Sequence, residues 1–157
     1  MATFFTNQDI DGLINERKTL PDDYQNQLKL RHKRGHDERE IELTGSNGSR
    51  FLLVMRLSQT NILDFSVILA YQVPNTNTSF RLRRYNGKSH EHTNKLEKQI
   101  FYGYHIHIAT ERYQQFGERE DAYAEQTDRF SDLNSAVVCM LDDCGFDRPI
   151  DPQLSLW

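Results

Sequence analysis

The sequence has only two cysteines and one tryptophan in 157 residues. Cys139 and Cys144 sit close together in one apparent helix and its end, so they cannot staple a small secreted scaffold; both read as reduced thiols. Long apolar runs are missing too. The longest mostly apolar stretches, 51–57 and 65–73, fall well short of the roughly 20 residues a membrane-crossing helix needs. The first residues carry no basic segment of the kind that opens a signal peptide. These absences predict a cytoplasmic protein with no membrane partner. An excess of positive charge is also lacking: 19 Lys plus Arg stand against 23 Asp plus Glu, a formal charge of −4, which gives no general pull towards duplex nucleic acid or anionic lipid.

Several catalytic signatures are absent as well. Residues 44–49 are glycine-containing but lack the lysine and spacing of a phosphate-binding loop, and read as a hairpin turn. No serine sits in a nucleophile-elbow pattern, and no His-Glu-x-x-His helix appears. Cys139 falls on an apolar helix stripe, whereas Cys144 lies at the C-terminal end of that helix, where the dipole disfavours a thiolate. No cofactor is expected.

What is present is enough for a folded core: hydrophobic residues make up 37% of the chain, with nine Phe and seven Tyr. The length suits one domain, read as residues 1–147 followed by an extended C-terminal tail, 148–157, whose Leu154, Leu156 and Trp157 are costly to leave in water. Thr6 followed by Asp9 predicts a capped helix with Ile10, Leu13 and Ile14 on one face. Alternation of polar and apolar residues predicts strands near 28–33, 40–44, 79–85 and 104–108, and the runs 51–55 and 65–71, apolar or nearly so on both faces, read as central strands, with turns at Gly35, Asn47-Gly48, Asn75 and Asn86-Gly87. Ser131 or Asp132 caps a second helix, in which Leu133, Ala136, Val137, Met140 and Leu141 form the buried stripe and Gly145 ends it. The fold class that follows is α+β: a mostly antiparallel sheet of five or six strands packed by an N-terminal and a C-terminal helix. Residues 89–99 read as a long binding loop or surface connection, helical near 94–100. The stretch 113–127 fits a loop, a short helix or an edge strand.

Two His-x-His elements stand out, His90-Glu91-His92 and His105-Ile106-His107. In a strand, residues two apart point the same way, so each pair converges on one side. Three chemistries are open to them: ordinary hydrogen bonding, metal ligation, or proton transfer. For the last, histidine is the residue type able to act as both acid and base near neutrality. Strand parity sets Arg81 and Arg83 on one face, with Arg84 opposite and Lys88 beyond the turn. If that strand neighbours His105 and His107, phosphate-binding cations and titratable imidazoles share a surface. Tyr85, Tyr102 or Tyr113 would then be placed to stack a base.

The run from Phe80 to Asn94, followed by Tyr104-His105-Ile106-His107 and Tyr123-Ala124, resembles small uncharacterised bacterial and phage-associated proteins, some of which look like toxin components of toxin–antitoxin pairs. That resemblance implies a prokaryotic accessory protein directed at nucleic acid or at a protein partner.

The leading expectation is therefore a small nucleic-acid-directed protein: a metal-independent ribonuclease with His90, His92, His105 and His107 as catalytic residues and Arg81, Arg83, Lys88 and Tyr85 holding single-stranded RNA. One alternative is a non-enzymatic protein-interaction module, a phage-encoded inhibitor or a toxin–antitoxin partner, with an exposed apolar patch for its protein partner; a homo-oligomer is also open. The other is a regulator that binds metal through histidine.

Overall fold

The computed structural model describes residues 3–20 and 30–147. The predicted tail at 148–157 lies outside the described residues, as do the first residues of the earliest predicted strand.

Helix α1 (Asn7–Asn15) begins where the sequence places it. Thr6 accepts from the backbone N–H of Asp9 while the Asp9 carboxylate accepts from the N–H of Thr6, a reciprocal capping box that satisfies two otherwise orphaned donors. Ile10 and Ile14 are its buried face. Strand β1 (Lys18–Thr19) follows.

The main sheet is built from β2 (Arg31–His32), β3 (His36–Thr44), β4 (Arg50–Ser58), β5 (Phe65–Gln72) and β6 (Ser79–Asn86). After an excursion through β7 (His92–Asn94) and β8 (Gln99–Phe101) come β9 (His105–Ile108), the short helix α2 (Glu111–Gln115) and β10 (Ala124–Gln126). Helix α3 (Leu133–Asp143), capped by Asp132, and β11 (Phe146–Asp147) complete the described chain.

Seven strands join in the order β10-β9-β6-β5-β4-β3-β2, and every pairing is antiparallel. The architecture is thus the expected α+β sheet packed by the N-terminal and C-terminal helices, with seven strands rather than five or six because the short β10 joins its edge, and with short strands at both edges. Its central strands are apolar on both faces, as buried strands must be. Leu53, Met55, Val67 and Leu69 have no exposure and form the core with Ala136, Val137, Met140 and Leu141 of α3. Each of the Leu, Met and Val side chains among them contributes about 1.5–3 kcal/mol of burial.

The two ends of the domain are tied together. β1 runs parallel to β11, and the fully buried Lys18 sends its ammonium to the carbonyls of Leu13, Ile14, Glu16 and Cys144 at 2.8–3.0 Å. These carbonyls lie at the C-terminal ends of α1 and α3, where the helix dipoles favour a cation. Gly145, at φ +77°, turns the chain out of α3 in the left-handed conformation a helix terminus favours.

Two local expectations need correction. Residues 89–99 form no helix; β7 and β8 pair as a hairpin, whose turn is pinned by Tyr113. The Tyr113 hydroxyl donates to Glu97 at 2.6 Å and accepts from the backbone N–H of Leu96. The second correction is in β6. Ala70 pairs with Arg81 but Leu69 pairs with Arg83, so Leu82 is an extra residue in the strand. Such a bulge reverses which way the following side chains point.

Candidate metal centre

Beyond the bulge, Arg84 and Asn86 rather than Arg83 share a face with the histidines. Arg84 stands directly opposite His107 and Asn86 opposite His105. Arg81, before the bulge, is opposite Ala70 on that same face. Arg83 faces the helical side, close enough to Cys144 and Asp143 to bias the charge of both. Tyr85 is wholly buried in the core, its hydroxyl donating to Asp143 at 2.6 Å, so no base can stack on it. Lys88 extends over the ring of Tyr104, 5.2 Å from its centroid. The four residues expected to hold RNA therefore do not form one surface.

The histidines do converge, three of them. The excursion between β6 and β9 folds back so that the β7–β8 hairpin lies against the sheet end made by β9 and β10. One ring nitrogen from each of His92, His105 and His107 lies within 4.8 Å of the others. Ring centroids are 5.3 Å apart for His92 and His105, 4.8 Å for His92 and His107, and 5.0 Å for His105 and His107. His90 stays outside this group. It is exposed, bonds Ser89 through Nδ1, and its ring centre is 6.5 Å from that of His105.

The tautomer of each clustered ring follows from its neighbours. His105 Nδ1 lies 2.8 Å from the carbonyl oxygen of Gly103, and His107 Nδ1 lies 2.7 Å from that of Asp121. A carbonyl only accepts, so both Nδ1 atoms carry the proton and both Nε2 atoms present a lone pair. His92 is the reverse. Its Nε2 is 2.7 Å from Asn94 Oδ1, and that atom is the amide oxygen because it also accepts the N–H of Ala124 while Asn94 Nδ2 donates to the Ala124 carbonyl. His92 therefore keeps its lone pair on Nδ1.

Burial holds the two strand histidines neutral. Desolvation pulls His105 down to about 4 and His107 to about 2, the latter helped by the Arg84 guanidinium. Removal from water disfavours the imidazolium, and the neutral ring is the form that ligates a metal. His105 Nε2 is buried with no hydrogen-bond partner, a costly arrangement for a polar atom that nothing binds.

Charged groups lie beside the cluster. Asp121 has no exposed surface, and its carboxylate lies 3.2 Å from Arg84 Nε. The two attract by charge but are not aligned as a hydrogen bond, and neither carboxylate oxygen has a donor. A cavity of about 340 Å³ opens next to them, bordered by His92 and His107 and by Arg84, Lys95 and Arg119.

Sequence reasoning identified the three histidines but missed Asn94, Asp121 and Arg84 as their supports. Asn94 follows His92 by two residues, and that spacing was the one available clue to it. Asp121 is 14 residues from His107 and carried no signal.

Fold and site together define an α+β domain with three imidazoles gathered where a hairpin closes over one end of a seven-stranded antiparallel sheet. The chain belongs to DUF6978, a family of unknown function, whose model matches residues 5–144. No curated protein and no solved structure matches it. Among the described residues, no helix is long and apolar enough to cross a membrane.

Proposed function

We propose that this protein is a metal-binding protein that holds one divalent transition-metal ion of the zinc type on His92, His105 and His107. The observation that carries this reading is the pairing of each ring. One nitrogen is bonded to an oxygen acceptor, Asn94 Oδ1, the Gly103 carbonyl or the Asp121 carbonyl, and the other is left with its lone pair. Ligating histidines are ordinarily oriented in this way by a second hydrogen bond. Imidazole suits zinc, nickel, copper and iron, and three neutral rings leave a further coordination position for water or another ligand.

Tetrahedral zinc with Zn–N of about 2.0–2.1 Å sets its ligand nitrogens roughly 3.3 Å apart, closer than the present spread of up to 4.8 Å. Binding therefore draws the rings inward. His92 is the one ligand outside the main sheet, on a hairpin held to it through Asn94, and the least buried of the three.

An acid–base ribonuclease is less well supported by the same residues. A general acid must reach its substrate, whereas His105 and His107 are 1% and 5% exposed.

Elemental analysis and zinc titration of untagged protein test the proposal. One ion per chain is expected, with a higher melting temperature in zinc because the ion binds only the folded state, and with both effects lost in His105→Ala. Less than about 0.2 ion per chain at saturating zinc, with no thermal shift, would overturn it.

A further inference from the structure

We propose that the cavity beside the three histidines binds a phosphate-class dianion, inorganic phosphate or a small phosphate monoester, as the remaining ligand of the metal ion. This inference rests on the metal reading above and names what the open coordination position is for.

Position is the first support. His92 and His107 both border the cavity of about 340 Å³, so an ion shared by their rings lies at its wall. Among the described residues no fourth His, Cys, Asp or Glu joins the group, so the protein leaves that wall without a complete ligand set. The volume is at the small end of ligand pockets, enough for a phosphate and a short substituent.

Charge is the second support. Three neutral imidazoles leave a divalent ion its full charge. Arg84 is balanced by Asp121 at 3.2 Å, and Lys95 is balanced at the rim by Glu118 at 3.4 Å. Arg119, exposed on the lining, is offset by the adjacent Glu120, which senses its charge, so the excess is the ion's own two charges. A doubly charged ligand matches that sum better than a monoanion does.

The third support is what the lining leaves unmade. Arg84 Nε is a buried donor without a hydrogen-bond partner, and Arg84 lines this cavity. Buried donors are nearly always satisfied in a finished site. The acceptors left unpartnered on the same lining, Asn86 Oδ1 and the two Asp121 oxygens, call for a donor rather than an anion and are no part of this support. A metal-bound phosphate gives Arg84 an oxyanion to bond, and guanidinium groups hold phosphates well.

Full-length protein loaded with cobalt(II) in place of zinc provides the test. Cobalt stoichiometry is measured first, then inorganic phosphate is titrated at constant ionic strength while the visible absorption of the ion is followed, with acetate in a parallel arm. Phosphate is expected to change the spectrum saturably and to bind more tightly than acetate. Arg119→Ala and Lys95→Ala, both at exposed positions, are expected to weaken phosphate by about fivefold each without changing cobalt stoichiometry. One cobalt per chain with no spectral response to phosphate would overturn the anion site and leave the metal reading standing. Acetate binding as tightly as phosphate would overturn the dianion assignment. Failure to bind cobalt or zinc at all would overturn both.

Discussion

Asn94 makes both hydrogen bonds of a strand neighbour to a single residue, Ala124: its Nδ2 donates to the Ala124 carbonyl at 2.7 Å and its Oδ1 accepts the Ala124 N–H at 2.9 Å. Ala124 opens the edge strand β10, whose outer backbone groups would otherwise be unpaired. One side chain therefore docks the β7–β8 hairpin onto the sheet. The same Oδ1 fixes the tautomer of His92, so the contact that seats the hairpin also aims a ligand.

Asn94→Ala is accordingly expected to lower zinc affinity by about 10–100-fold, the usual effect of losing a group that orients a metal ligand. Asn94→Asp should do no better, because a carboxylate cannot donate to the Ala124 carbonyl. Competition against a chelator of known affinity measures the loss. Unchanged affinity in both variants would mean that His92 is aimed by something else, or is not a ligand.

The ammonium of Lys18 makes a separate prediction about stability. It has no exposed surface, meets four backbone carbonyls, and lies 4.4 Å from the centre of the Phe51 ring. Burial pulls its pKa to about 8, so it remains charged at neutrality. Lys18→Met keeps the stem but strands carbonyls at the ends of both α1 and α3, and should destabilise the domain by about 3–5 kcal/mol, since each buried carbonyl left without a donor costs about 1–3 kcal/mol. Urea midpoints at pH 7 read this directly. Lys18→Arg is not expected to rescue, since a planar fork cannot reproduce the tetrahedral donors of an ammonium.

The elements legible in sequence were those set by local rules. Thr6 with Asp9, and Asp132 before an apolar stripe, are capping signals that act within one turn. β3 and β6 announced themselves by alternation, β4 and β5 by short runs apolar on both faces, and all four by turns such as Asn47-Gly48. What escaped was long-range or depended on one residue. Leu82 reads as an ordinary alternating position, and only pairing with β5 makes it a bulge. That single residue exchanged Arg83 for Arg84 beside the histidines and moved Tyr85 into the core. His105 and His107 were correctly assigned to one face, but parity cannot say whether a face is wet. The β7–β8 hairpin that dries it is held by Asn94 to Ala124, 30 residues away. For the same reason nothing in the sequence marked Asp121 as the partner of Arg84 across the site.

Asp143 provides the pH prediction. Its carboxylate receives both terminal nitrogens of Arg129, at 2.7 and 2.9 Å, and the hydroxyl of Tyr85 at 2.6 Å. Burial alone would raise its pKa, but the bonds from Arg129 and Tyr85 outweigh that and hold the carboxyl below its ordinary value. The unfolded chain therefore takes up this proton at a higher pH than the native protein does. Its contribution to stability is fully present above the ordinary aspartate pKa of about 3.9 and is lost as the pH falls through the lower native value. Asp143→Asn removes the titrating group while keeping its shape. Denaturant titrations between pH 6 and 3 should show the variant less stable than wild type at pH 6, with the gap narrowing as the wild-type carboxylate is protonated. A gap that stays constant down to pH 3 would mean that the Tyr85–Asp143–Arg129 contacts contribute through packing rather than charge.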